Sequence, residues 1–158
     1  MKLLNKLCIK YVFAIFVICI SSCSDTIISP EDEIKIFIET AKLAVEKRSH
    51  NDLADLIDEN YQDRKNLNKK QLVKLSHGYF FTHKNIHLLT KIDSITFQNE
   101  NSAFVVLHVA MAGSVISDLN AITSLRARVY RFELQLIKNN VWLLQQASWK
   151  SAEIKDML

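Results

Sequence analysis

From residue 30 onward the apolar positions change period about halfway along the chain. Ile34, Phe37, Ile38, Ala41 and Val45 recur at three and four residues, which puts them on one stripe of a helix running to about Lys47. Ser29-Pro30-Glu31-Asp32 opens that helix with an N-cap residue, a proline at the first helical position and acids where the helix dipole favours them. Asn51 predicts the start of a shorter helix carrying Leu53, Leu56 and Ile57. Asn68 predicts a third, with Leu72, Leu75, Tyr79 and Phe80 facing inward.

Beyond Ile86 the period falls to two. Ala103, Val105, Leu107, Val109 and Met111 alternate with Phe104, Val106, His108, Ala110 and Ala112, so both faces are largely apolar and the strand is central. Ile86, Leu88, Thr90 and Ile92 give way to Ile95 and Phe97, and Leu125, Ala127 and Val129 give way to Phe132, Leu134 and Leu136. Each phase change predicts a bulge that bends the sheet. Asn99-Glu100-Asn101 and Asn139-Asn140 are turn residues that make hairpins of their flanking runs, and residues 114–124 form a longer connection. Helices followed by a bent antiparallel sheet predict an α+β domain whose helices close over a concave face.

The first 22 residues follow a different logic. Lys2, Lys6 and Lys10 precede an apolar run from Tyr11 to Ile20, a basic region followed by the hydrophobic core of an export signal. As a helix this run reaches about 15 Å, half of the roughly 30 Å hydrocarbon core of a membrane. Ile20-Ser21-Ser22-Cys23 resembles the lipobox of bacterial lipoproteins, which implies cleavage before Cys23 and its lipidation. Ser24, rather than Asp, after that cysteine implies sorting to the outer membrane. The chain then divides into a signal peptide (1–22), a tether (23–29), one domain (30–152) and a C-terminal tail (153–158).

Removing the signal changes the charge and the cysteine count. Lys+Arg number 20 against 17 Asp+Glu in the whole chain; three lysines leave with the signal, so the remainder carries 17 of each. A net charge of zero removes the case for a nucleic-acid partner. Cys8 and Cys19 fall in the signal and Cys23 carries the lipid, so no thiol is left for a disulfide, a thiolate metal site or a nucleophile. The 136 residues that remain of the 158 suffice for one domain with a sizeable core.

The order of elements, and the closing run Val141-Trp142-Leu143-Leu144-Gln145-Gln146-Ala147-Ser148-Trp149, resemble the nuclear transport factor 2-like (SnoaL-like) superfamily over nearly all of residues 30–150. Tyr61-Gln62-Asp63, the run His83 to Leu89, Met111-Ala112-Gly113 and the run Leu125 to Phe132 resemble an uncharacterised proteobacterial group within it. The resemblance implies a cone-shaped domain with a pocket. It carries no single activity, because this fold hosts isomerases, dehydratases, ligand binders and partner-binding modules alike.

Asp63 lies near where ketosteroid isomerases of the superfamily place a general base, although their motif is not reproduced; His108 is the other acid/base candidate. Both also read as structural residues, a solvated aspartate after a core tyrosine and a satisfied core histidine. Tyr61, Tyr79, His87, Arg128 and Trp149 are the candidate ligand-binding residues, with Trp142 beside Trp149 as packing. Arg126, Arg128 and Tyr130 share a face opposite Leu125, Ala127 and Val129, which serves either an anion in the cone mouth or an outer, dimer-forming surface. His83 and His87 are four apart, but on a strand and without an acidic partner, so no metal site and no cofactor is assigned.

Two classes of function follow. One is a lipid-anchored envelope module that binds a small apolar ligand or a partner protein, a second copy through the sheet included. The alternative is a small-molecule isomerase, dehydratase or hydrolase using Asp63 or His108. Both groups inside one cavity would favour the enzyme, and an apolar cavity with both outside it would favour binding.

Overall fold

The computed structural model describes residues 28–114 and 127–157. The expected export signal, Cys23, Arg126 and nearly all of the 114–124 connection lie outside them.

Helix α1 (Pro30–Glu46) begins where the sequence predicts, with the Ser29 side chain accepting from the Asp32 backbone N–H. Its stripe of Ile34, Phe37 and Ile38 is buried. Two carboxylates fix its ends to the sheet. Glu33 accepts from Lys138 Nζ and Trp142 Nε1, and Glu46 accepts from the Leu88 backbone N–H at 2.8 Å. The Lys138 and Trp142 hydrogen bonds hold the Glu33 carboxyl below its ordinary range.

Helix α2 (His50–Asp55) is capped by Ser49, two residues earlier than the Asn51 cap expected. The competing signal is the preceding turn, in which Arg48 takes a positive φ and leaves Ser49 extended, ready to cap. Helix α3 (Lys69–Thr82) starts after Asn68 with a full capping box, Asn68 and Gln71 each bonding the other's backbone.

The strands β1 (His87–Asn99), β2 (Ser102–Ala112), β3 (Arg128–Asn139) and β4 (Val141–Ala152) form one antiparallel sheet in that order. β1 carries the predicted bulge: Ile92 and Ser94 pair with consecutive residues of β2, leaving Asp93 as the extra residue. The bulge expected in β3 between Val129 and Phe132 is absent, since β2 and β3 pair without interruption. Val129 and Phe132 serve two different cores. Val129 packs outside the sheet with Ala110 and Met157, while Phe132 faces the helices, so the change of apolar phase needs no extra residue. The second bend lies in β4 instead, where Gln135 pairs with Gln146 and Leu136 with Leu144, leaving Gln145 extra.

That β4 irregularity receives the chain leaving α2. Leu144 donates to Leu56 O, Asp58 donates to Leu144 O and Gln62 donates to Gln145 O, so residues 56–62 run along the open edge of β4. The tail after β4 turns back as a short 3-10 helix (Ile154–Met157), which buries Met157 to 1% exposure on the outer face. The sequence carried no periodic signal for so short an element.

Candidate functional site

The bent sheet turns Leu88, Leu107, Val109, Phe132, Leu134 and Leu144 toward the helices, and α1 and α2 cover one part of this face. α3 is held mainly by α2, and the wedge of space between α3 and the sheet stays open. A cavity of about 900 Å³ occupies it, bounded by Leu72, Leu75, Tyr79 and Phe80 from α3 and by Met111, Tyr130, Phe132 and Trp149 from the sheet. A smaller apolar pocket of about 180 Å³ continues it under α1, sharing Val45, Ile57, Phe132 and Leu144 as walls.

Aromatic rings form the sheet wall. Tyr130 meets Phe132 edge-on at 6.5 Å, and Phe132 stacks on Trp149 at 6.2 Å between ring centres. Across the opening, Tyr79 stacks on His83 at 3.9 Å and directs its hydroxyl to Met111 Sδ. Burial pushes the Tyr79 phenol up, Tyr130 adds to this, and the positive charge of Arg128 opposes it. Arg128 pairs with Met111 in the sheet register and has the parity of Tyr130 and Phe132, so it lies on the sheet face that bears the cavity.

Of the candidate ligand-binding residues, Tyr79 and Trp149 line this cavity; Arg128 is exposed and outside its lining, on the strand face of Tyr130 and near enough for its charge to act on the Tyr79 phenol. Tyr61 lies in the core and is 1% exposed, without lining the space. His87 has the parity of Leu89, which packs on the outer cluster, and does not line it either. Tyr130 and Phe132 belong on the wall; the two-residue spacing from Arg128 was the signal that would have found them. Lys74 and Gln71 line the other side, and nothing in the sequence announces that.

The two acid/base candidates are elsewhere, and apart from each other. Asp63 closes a turn: one carboxylate oxygen accepts from the Lys65 and Leu67 backbone N–H groups at 2.8 Å each. Its other oxygen and the Tyr61 hydroxyl are buried without a well-aligned partner. Burial, then the charge of Asp63, push the Tyr61 phenol up to about 12, with the Ala147 backbone pulling the other way. Asp63 borders a cleft of about 270 Å³ with Arg64, Lys65, Arg131, Glu133 and Lys150, which shares Ala147 and Trp149 with the large cavity.

His108 faces outward. Its Nδ1 lies 2.9 Å from Asp93 Oδ2, close enough for an ion pair but without aligned hydrogen-bond geometry. Arg131 approaches the same Asp93 oxygen at 3.4 Å and Glu133 at 3.5 Å. The β1 bulge is what places Asp93 there. Among the described residues no cluster of three His, Cys, Asp or Glu side chains has the spacing of a metal site.

No family model matches the chain, and no curated protein matches it by sequence. Solved structures do match. A protein of unknown function from Shewanella oneidensis, described as nuclear transport factor 2-like, aligns with a TM-score of 0.58 at 14% identity, over 77% of this chain and 98% of its own. The chain has the nuclear transport factor 2-like fold. A ketosteroid isomerase-like protein from Erwinia carotovora shares it, with a TM-score of 0.57 at 10% identity over 77% of this chain and 95% of that one. Bd1075 of Bdellovibrio bacteriovorus aligns with a TM-score of 0.62 at 11% identity, and 77% of this chain spans 41% of that protein.

Proposed function

We propose that this chain is a lipid-tethered cell-envelope module that holds a small apolar ligand between α3 and the sheet. One observation carries the reading. Neither Asp63 nor His108 lines the large apolar cavity; Asp63 borders a cleft that meets it only across Ala147 and Trp149, and His108 borders another cleft. The cavity falls within the roughly 300–1,000 Å³ usual for ligand pockets, and its polar groups are few and sit mainly on the α3 side and at the rim. Apolar surface removed from water contributes about 25 cal/mol per Å², so such a lining favours a hydrophobic guest. The signal and lipobox support an anchor at Cys23, in the outer membrane, with residues 23–29 as the tether.

The second reading, an isomerase, dehydratase or hydrolase, is favoured by a single feature. The free oxygen of Asp63 and the Tyr61 hydroxyl are buried and unpartnered, as a general base and its neighbour would be before substrate arrives. The same fold in a ketosteroid isomerase-like protein is consistent with this, at the level of fold alone.

One screen separates the two. The parent, Asp63→Asn and His108→Gln are tested against enolisable ketones, hydroxy acids and esters for product formation, and against dodecanol for binding by tryptophan fluorescence. Saturable binding without turnover is expected. Turnover in the parent that falls about a hundredfold or more in either variant would replace the binding module with the enzyme.

A further inference from the structure

Among the described residues, the charged side chains that line the cavity are all of one sign. Among the described residues, no acidic side chain lines the 900 Å³ cavity or its 180 Å³ continuation; the charged side chains on their walls are Lys74 and Lys42, the latter paired with Glu39. Arg128, exposed on the same strand face, is paired in register with Met111, whose sulfur receives the Tyr79 hydroxyl, and its charge reaches that phenol. A thioether is a weak acceptor, so Tyr79 has an O–H already desolvated and aimed, but spent on a poor partner. Tyr130, two residues from Arg128 on the same strand face, brings a second phenol to the same end of the space.

These groups form a polar rim at one end of an otherwise apolar chamber. A ligand with a positive head would meet Arg128 and Lys74 with no carboxylate among the described wall residues to compensate, which costs desolvation without a return. A neutral head would leave the guanidinium unused. A carboxylate would accept from Arg128 and from the Tyr79 hydroxyl at once, replacing a weak bond to sulfur with a charge-assisted one.

Resting on the reading of the cavity as a ligand site, we propose that its ligand is a single-chain anionic amphiphile, a fatty-acid-like molecule. Its carboxylate sits between Arg128, Tyr79 and Tyr130, and its tail lies along Phe132 and Trp149.

The test uses the purified full chain free of detergent, and titrates dodecanoate, dodecanol and dodecyltrimethylammonium below their micelle concentrations at pH 8, followed by calorimetry. Dodecanoate should bind about tenfold more tightly than dodecanol, the yield of one charge-assisted hydrogen bond, and the cation should bind most weakly. In Arg128→Gln the ratio of dodecanoate to dodecanol affinities should fall to near one, and in Tyr79→Phe it should fall by severalfold. Each methylene removed from the acid should weaken binding about fourfold. Equal affinity for the acid and the alcohol, preference for the cation, or an undiminished ratio in both variants would overturn the anionic head while leaving an apolar binding site in place. Absence of binding by all three probes would overturn the ligand site itself.

Discussion

Tyr61 concentrates the cost of a polar atom in a core. Its ring fills space between helices and sheet, while its hydroxyl, 1% exposed with the rest of the side chain, lacks an aligned partner. Burial first, and the Asp63 charge second, raise its phenol from 10.0 to about 12. A folded value above the unfolded one means that the protonated phenol contributes stability in full below pH 10, and that this contribution is lost as pH rises toward 12. Tyr61→Phe should remove that part of the alkaline loss. It should be close to neutral at pH 7, since an unpaired buried hydroxyl adds little. Urea midpoints of both proteins from pH 8 to 12 check this, and parallel alkaline slopes would contradict it. The sequence offered Tyr61 as a ligand-binding or a core residue and Asp63 as a general base or a solvated aspartate, whereas Asp63 is buried. It did not show that Asp63 spends one oxygen on two backbone N–H groups, because a turn-closing aspartate and a general base are written with the same letter.

At the scale of elements, helix α3 decides whether there is a cavity. Its apolar residues repeat like those of a packed helix, yet α2 holds it mainly and it touches the sheet side through Tyr79 and Phe80, so Leu75 stays 52% exposed beside open space. Periodicity fixes which side of a helix is apolar and says nothing of the distance to what it faces. For that reason the helix was readable and the cavity volume was not. Gly78 sits in the middle of α3, without a positive φ and with nothing within 4 Å of where a Cβ would stand. Gly78→Ala should therefore raise stability by roughly 0.5–1 kcal/mol through helix propensity alone, read as a higher urea midpoint with an unchanged slope. A lower midpoint would mean that α3 moves closer to the sheet than described. The strands tell a similar story. The β1 bulge followed from its phase change, whereas the same pattern in β3 arose from two apolar faces, one of them covered by the terminal 3-10 helix.

For the whole molecule, the fold class and the pocket-forming arrangement followed from the order of periods along the chain, and the fold of the solved neighbours agrees. The position of the ionisable candidates did not, since parity alone leaves open which face of a strand meets the helices. His108 shares its strand with Leu107 and Val109 and looks away from both. The proposed tether belongs to this scale as well. Cys23→Ser should abolish labelling by radioactive palmitate and leave the precursor uncleaved, and unchanged labelling would remove the lipid anchor from the account.

Native mass spectrometry addresses the occupied cavity directly, on the chain purified without detergent from the cells that make it. The prediction is one apolar small molecule per chain, retained in the folded protein and released when it is denatured. A chain that is empty as isolated, and that takes up no dodecanol or dodecanoate at saturating concentrations, would contradict the binding function.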